Sequence, residues 1–323
     1  MEKETRRERR LRYQLAFTLI ATLLLIIIVT LPFTLASVVN DVLGPPEGER
    51  YPIPAGTPPP PAPTHSRLNV AVVALDETQS VVTLRVAGHH VCDATCDWAD
   101  RLMFFSVPVD KPDLESLPPG ASVNLPANSG DVTQTIQLPM EGQPLRYPFD
   151  WYALRLGIVM QRDYGDNRVE TVTTSDARGH LFLTIQEQLA RQNMAPPVAV
   201  DPASVRVETA PYDYLYVYDL RFQRPVYLQV LAVLLTLLVT AAAAYAVFLR
   251  PLSELVVNSG ALVLGVWGIR QILVPGNYYY VTAVDLSLSM VILFLLGAIT
   301  VRAFIFVDER SGLNLFGHLR RRR

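Results

Sequence analysis

Leu23-Leu24-Leu25-Ile26-Ile27-Ile28 forms the centre of a run, Tyr13 to Asn40, that contains no charged side chain. A helix rises about 1.5 Å per residue, and roughly 20 apolar residues cross the hydrocarbon core of a bilayer. Gln14 to Ala36 supplies them, so a membrane-spanning helix is expected there. Directly before it stands the basic start Arg6-Arg7-Glu8-Arg9-Arg10-Leu11-Arg12. A cleavable signal peptide is the rival reading. The apolar region is longer than an ordinary signal core, and Thr34-Leu35-Ala36 is a poor cleavage site, which favours a retained anchor.

Three more apolar runs fill the last third of the chain: Pro225 to Leu249, Leu255 to Val274 and Ala283 to Val307. The first ends at Arg250-Pro251, which stops a helix and forces a turn. Four crossings put both termini on one side. Basic residues crowd the amino terminus, the Arg250 turn and the tail Arg320 to Arg323, so the positive-inside rule places all three in the cytoplasm. The expected location is therefore a cell membrane, with Val39 to Arg224 outside. The bounds read as a basic cytoplasmic segment 1–12, spans at 13–38, 225–249, 255–274 and 283–307, and a basic tail 308–323. Between the first two spans lie a proline-rich linker 39–66 and a domain 67–224.

Charges inside spans are costly and invite a functional reading. Arg270 lies about 23 Å along its helix from Leu255, close enough to the outer surface for its long side chain to reach the headgroups. Asp285 enters the next span at the same level. Pairing across the turn Pro275-Gly276-Asn277 would neutralise both, and the expectation is a structural Arg270–Asp285 membrane ion pair rather than an ion or proton path. A path would need polar groups deeper in the same helices, and only Asn258, Ser259, Ser287 and Ser289 are available. Arg302 is expected to snorkel to the cytoplasmic side.

Gly44 to Pro63 holds nine prolines, which resist helix and sheet and favour an extended spacer. From Leu68 to Arg221 short alternating runs are broken by Gly, Pro, Asn and Asp, the pattern of strands. Val70 to Leu75 and Val81 to Val86 read as an opening hairpin. Further strands are expected at Leu102–Val107, Val132–Leu138, Val169–Thr173, Leu181–Ile185 and Val205–Thr209, and a short helix at Gln186–Met194. In Trp151 to Gln161 the residues Tyr152, Leu154, Leu156, Ile158 and Met160 share one face. In Tyr212 to Arg221 the four tyrosines 212, 214, 216 and 218 do the same, with membrane-surface contact the expected role for aromatic residues there and at Tyr278-Tyr279-Tyr280. The fold class is thus membrane α plus all-β: four transmembrane helices, one amino-terminal and three carboxy-terminal, with an extracytoplasmic antiparallel β-sandwich between the first and second.

No phosphate-binding glycine loop, nucleophile elbow, zinc-protease helix or dinucleotide fingerprint occurs in the chain. No enzymatic activity, cofactor or nucleic-acid partner is expected. One concentrated cluster, His89-His90-Val91-Cys92 through Cys96 to Asp100, contains both cysteines of the chain. In an oxidising outer compartment a pair this close suits a local disulfide, Cys92 with Cys96. The alternative is a metal site using His89, His90, Cys92, Cys96, Asp100 and Met103. The spacing Cys92-x-x-x-Cys96-x-x-x-Asp100-x-x-Met103 resembles the dinuclear copper loop of cytochrome oxidase subunit II, which implies copper. Asp100 stands where that family has a histidine.

The segment Arg146-Tyr147-Pro148-Phe149-Asp150-Trp151-Tyr152 resembles two families. A bacterial membrane family catalogued as domain of unknown function 4436 is similar over nearly the whole length: one leading span, a β domain with Tyr-Pro-Phe-Asp before a central strand, then three spans. Its arginine, Pro-Gly turn and aspartate match Arg270, Pro275-Gly276 and Asp285. That resemblance implies an architecture and no activity. Pentameric ligand-gated channels carry a similar Pro-Phe-Asp motif, but there it lies in a cysteine-bounded loop, whereas Cys92 and Cys96 lie far upstream here. From the residues alone, Pro148 can hold an extended approach and Asp150 can accept backbone hydrogen bonds in a turn. Three functions are expected in order: a non-enzymatic scaffold whose outer domain binds a membrane or envelope component; a homo-oligomeric ion channel or transporter; an envelope copper or redox protein. The implied partners are the lipid bilayer and either a membrane or envelope protein or further copies of this chain.

Overall fold

The computed structural model describes residues 48–54, 65–92, 98–108, 118–166, 168–189, 192–205, 213–249, 251–274 and 281–311, with scattered positions between 14 and 39. The architecture mixes a large β-sheet domain with apolar carboxy-terminal helices. Two compact units divide the chain. The β unit comprises Val39–Pro144 and Phe149–Pro225; the helical unit comprises Met1–Val38, Leu145–Pro148 and Val226–Arg323.

The β unit opens with strands β1 (Arg50–Ile53), β2 (Ser66–Asp76), β3 (Val81–His90), β4 (Ala99–Ser106) and β5 (Gly120–Asn124). It continues with β6 (Gly130–Pro139), β7 (Glu141–Gly142), β8 (Trp151–Asp163) and β9 (Val169–Thr171), then helix α1 (Thr174–His180). The last strands are β10 (Leu181–Glu187), β11 (Asn193–Met194), β12 (Val198–Val200) and β13 (Tyr216–Gln223). One sheet has five strands in the order β1-β10-β2-β3-β6, and a second has eight, built along β11-β13-β8-β4-β5.

The β2–β3 hairpin follows from its alternation, with Val70, Val72, Val82, Leu84 and Val86 all fully buried. Its turn is held by Asp76, whose Oδ1 accepts from the Thr78 hydroxyl (2.6 Å) and from the backbone N–H groups of Thr78 and Gln79 (both 3.0 Å). Those bonds, the Thr78 hydroxyl first, hold the Asp76 carboxyl below its ordinary range. One buried apolar cluster draws on both sheets, combining Val70, Leu84 and Ile185 of the first with Phe104, Leu156 and Phe222 of the second. Tyr152, Leu154, Leu156, Ile158 and Met160 all lie in it. A smaller cluster, Phe105, Val107, Val159, Val205, Tyr214 and Val217, covers part of the other face of β4, β8 and β13. Leu156 to Met160 is accordingly buried without a break, as strands covered on both faces are.

Several expectations are corrected. The sheets are not purely antiparallel: β10 runs parallel to β2, from Leu181 opposite Ser66 to Glu187 opposite Val72, because the chain returns to β2 after a long crossover rather than a tight turn. Arg50–Ile53, inside the proline-rich stretch read as a spacer, is an edge strand paired with β10. Pro52 is tolerated because an edge strand can spare one N–H. The tyrosines do not share a face. Tyr214 belongs to the smaller cluster while Tyr216 and Tyr218 belong to the main one, since Leu215 N–H and Tyr216 both answer Ile158, an extra residue that flips the alternation. All three are buried, which removes them from any membrane-surface role; Tyr212 and Tyr278–Tyr280 lie outside the described residues. The short helix is α1, started by Thr173, whose hydroxyl accepts from Asp176 N–H. At 186–194 the chain instead ends β10 and forms β11. Of the strand expected at Val205–Thr209, Val205 closes a 3-10 turn and the rest lies outside the described residues.

In the helical unit, α2 (Val226–Leu249), α3 (Leu252–Leu273) and α4 (Ala283–Ser311) share a buried stripe of Ala243, Ala246, Leu255, Val266, Leu288 and Leu295. Among the described residues two helices, Val226–Phe248 and Ala283–Val307, are long and apolar enough to cross a membrane; α3 carries Glu254 and Arg270. Between Gln14 and Val39 the described positions are helical. There Thr18 and Thr30 hydroxyls each donate to the carbonyl four residues back at 2.8 Å. The remainder of that expected span, the basic start and the tail 312–323 lie outside the described residues.

Candidate functional site

The most concentrated buried polar group in the β unit forms around Arg224. Its Nε donates to both oxygens of Asp150 at 3.2 Å, and its guanidinium also donates to Glu77 and again to Asp150. Gln192 donates to the same Glu77 oxygen. Side-chain exposure is 3% for Arg224, 0% for Asp150 and 11% for Glu77. Two carboxylates therefore share one guanidinium away from water, an arrangement stable only when each lone pair finds a donor. Four separate segments supply these residues. Asp150 directly precedes β8, Arg224 directly follows β13, Glu77 lies in the β2–β3 turn and Gln192 precedes β11. The pairing of Trp151 with Gln223 brings the first two together.

Asp150 was expected to accept backbone bonds in a turn; its partner is instead Arg224, which the sequence placed merely at the rim of a span. Tyr147, three residues earlier, belongs to the helical unit. Its ring packs in the buried helical cluster and its hydroxyl donates to the carbonyl of Leu273, the last residue of α3, at 2.5 Å. Pro148 is buried and Phe149 is exposed.

In the helical unit Arg270 Nε donates to Asp285 Oδ1 at 2.6 Å. The other oxygen, Oδ2, accepts from the backbone N–H and hydroxyl of Thr282, both at 2.9 Å. Thr282 Oγ1 in turn accepts from Asp285 N–H at 3.2 Å, a reciprocal cap on the first turn of α4. Arg302, expected to snorkel to the cytoplasmic side, donates to the carbonyl of Val247 in the last turn of α2.

The histidine and cysteine residues have separate partners. His89 Nδ1 meets exposed Asp131 at 2.8 Å. His90 Nδ1 meets Ser66 Oγ at 2.9 Å, and that hydroxyl accepts from Val91 N–H. Burial holds His90 below the usual imidazole range, against the pull of Asp100. Burial pushes Asp100 above the carboxylate range, although Arg162 Nε donates to it at 3.3 Å. Cys92 is disulfide-bonded; Cys96 lies outside the described residues. Met103 packs beside the smaller apolar cluster. Among the described residues no group of three or more His, Cys, Asp or Glu is gathered as a metal requires. Next to Asp100, Arg162 stacks over Trp98 at 5.1 Å and Arg168 over Tyr164 at 4.0 Å.

The Arg224 cluster was missed because its members are far apart in sequence and each has an ordinary local reading. The usable signal was an arginine at the outer end of an apolar run whose nearest carboxylate in the chain, Asp219, is already matched by Arg155 across the β8–β13 pair. No protein-family profile matches the chain, and no curated protein is significantly similar to it. The class is set by the architecture alone: a large β-sheet domain joined to helices apolar enough for a bilayer.

Proposed function

We propose that the chain is a multi-pass membrane protein of the kind seen in the domain of unknown function 4436 family, whose β unit binds or scaffolds another membrane or envelope component. In this reading the two sheets form a sandwich outside the cell, the first apolar run and α3 cross the bilayer along with α2 and α4, and both termini are cytoplasmic. The observation that carries the membrane half is the outward-facing apolar surface of the helices. Leu238, Leu264, Leu293 and Phe306 are all exposed, and water offers such a surface nothing, whereas acyl chains do. A scaffold rather than a conduit is supported by Arg270, Asp285 and Thr282, whose polar atoms answer one another instead of standing open along a helix face.

Quantitative mass spectrometry after purification from native membranes tests the scaffold. A partner at fixed stoichiometry, retained by the intact chain and lost when the β-unit surface is altered, is the expected result. Purification as a symmetric ring of this chain alone, with single-channel conductance in a planar bilayer, would replace the scaffold by the second reading, an ion channel. One observation favours that alternative: the Arg224 cluster ties four segments of the β unit together at the residue before Pro225 and α2, where a conformational signal would have to pass.

A further inference from the structure

We infer that the outer face of the five-stranded sheet, the side turned away from the main apolar cluster, is a docking surface for an acidic polysaccharide. This rests on the scaffold reading above and gives the partner a chemical class. Successive side chains of a strand point to opposite sides, so the buried positions Leu68, Val70 and Leu84 fix which residues look outward. The register sets those residues in rows across the sheet. Arg50, Gln186, Ala71, Arg85 and Thr135 form one row, and Pro52, Thr184, Asn69, Ala87 and Thr133 the next. Arg67 and His89 stand opposite each other in a third. Arg50, Arg67 and Arg85 are all exposed. With about 3.3 Å per residue along a strand and about 4.8 Å between strands, their Cα atoms lie roughly 14–16 Å apart.

Between the arginines the floor is uncharged and ordered. The Thr184 hydroxyl donates to Asn69 Oδ1 at 2.9 Å, and Asn69 Nδ2 donates to Gln186 Oε1. Gln186 is only 1% exposed, so its amide is held in place. Thr133, Thr135 and Gln137 extend the polar floor along β6 and are exposed. Carboxylates are scarce here. Among the described residues of the five strands, those on this side are Asp131, paired with His89 at a corner, and Asp76, whose Oδ1 is occupied by the hairpin turn. Composition does not explain the scarcity, because Asp163, Asp166 and Glu170 gather at the β8–β9 hairpin. The chemistry of the occupant follows. Guanidinium groups match carboxylates with paired N–H bonds, and side-chain amides and hydroxyls donate and accept as sugar hydroxyls do. A protein partner would call for a desolvated aromatic or aliphatic centre, and a bilayer for an apolar face that inserts. Among the described residues, no large apolar side chain of this face is exposed. A chain of sugar rings bearing carboxylates meets both the arginines and the floor.

Binding of oligogalacturonate to the full chain in phosphatidylcholine nanodiscs, followed by isothermal titration calorimetry, tests the surface. Oligoglutamate of equal charge, neutral dextran and phosphatidylglycerol vesicles are the comparison probes. Oligogalacturonate should bind tighter than oligoglutamate or dextran by about tenfold or more. Its affinity should fall as NaCl rises from about 0.1 M to about 1 M, which shortens the Debye length from about 10 Å to about 3 Å. Arg67→Gln with Arg85→Gln should weaken it by about tenfold or more, while Arg221→Gln, on β13 of the other sheet, should leave it unchanged. Arg67→Lys with Arg85→Lys keeps the charge without the paired bonds and should recover only part of the loss, which guards against a folding effect of the glutamine variants. Equal binding of oligoglutamate, or binding of the phosphatidylglycerol vesicles alone, overturns the polysaccharide in favour of an acidic protein or a lipid surface. Oligogalacturonate binding that the glutamine variants leave intact overturns this face. If a protein copurifies from native membranes at fixed stoichiometry and oligogalacturonate does not bind, the face is overturned and the scaffold reading stands. If the chain purifies as a conducting ring of itself and oligogalacturonate does not bind, both fall.

Discussion

Arg224 holds two carboxylates at a point where only 3% of its own side chain is exposed, so its removal leaves both charges buried without a counter-ion. Arg224→Leu should destabilise the β unit by about 3–5 kcal/mol, the usual cost of breaking a buried pair from one side. Asp150→Asn should cost less, because Arg224 keeps Glu77. Denaturant unfolding of the intact chain in detergent checks both, and an Asp150→Asn loss larger than that of Arg224→Leu would contradict the sharing. His90 gives a pH signature. Burial lowers its folded-state affinity for a proton, so the unfolded chain protonates at higher pH than the folded one. Its contribution is therefore complete above the ordinary value of 6.5 and falls as pH drops below it, by up to about 1.4 kcal/mol per pH unit. Asp100 acts with the opposite sign and nearer the acid range: its raised affinity favours the folded chain at low pH and is lost as pH rises through its folded value. Hydrogen exchange of the β2–β3 ladder from about pH 7.5 to pH 5 should show the weakening in the native chain and a flatter profile in His90→Asn; identical profiles would remove His90 as the cause. At this scale the sequence named Asp150 and His90 but not their partners, since Arg224 and Ser66 are distant in the chain and nothing local ties them together.

Elements were legible where apolar residues recur at every second position, even where the other face is covered as well, as along Leu156 to Met160. β2, β3 and β8 follow from alternation, while β1 and β12 do not, because each is a short strand held by its neighbour rather than by its own pattern. The helix suggested at 186–194 gives way because Gln186 and Glu187 continue the ladder with β2 and Glu187 accepts from Met194 N–H at 2.9 Å. Gly88 shows how tightly the β2–β3 register is fixed. Its φ is +156° and a Cβ there would lie 2.0 Å from the Arg67 carbonyl oxygen. Gly88→Ala should cost about 2–4 kcal/mol, whereas Gly130→Ala, whose nearest neighbour would be 3.7 Å away, should be close to neutral; equal effects in thermal unfolding would contradict the difference in space. Between α3 and α4 the test is a double-mutant cycle. Arg270→Leu leaves Asp285 without its guanidinium, and adding Asp285→Leu should recover part of the loss, with a coupling on the order of 1 kcal/mol. Strictly additive damage would mean that the 2.6 Å contact does not hold the helices together.

The two units obey opposite rules. In the β unit most large apolar side chains are buried, as in water, while α2 to α4 leave many of theirs on the surface, Leu264, Leu293 and Phe306 among them, beside one buried stripe that includes Ala243, Leu288 and Leu295. The sequence made this contrast visible as composition, but only the burial pattern separates a lipid-facing helix from the core helix of a soluble protein. Leu293 provides the decisive position. It lies ten residues into α4, about 15 Å from Ala283, which is the midplane of a hydrocarbon core about 30 Å thick, and it is 64% exposed. If water surrounds α4, Leu293→Asp is an ordinary surface change worth within about 0.5 kcal/mol. If acyl chains surround it, the same change costs about 2.5–3.5 kcal/mol, and Leu293→Ala costs far less because no charge enters the core. Membrane integration measured by alkaline extraction, with protease protection of a tag after Arg323 to report the side reached by the tail, should therefore show a marked loss for the aspartate and near-native insertion for the alanine. Native-like insertion of Leu293→Asp would place α4 outside the hydrocarbon core and, with it, undo the cytoplasmic assignment of the tail.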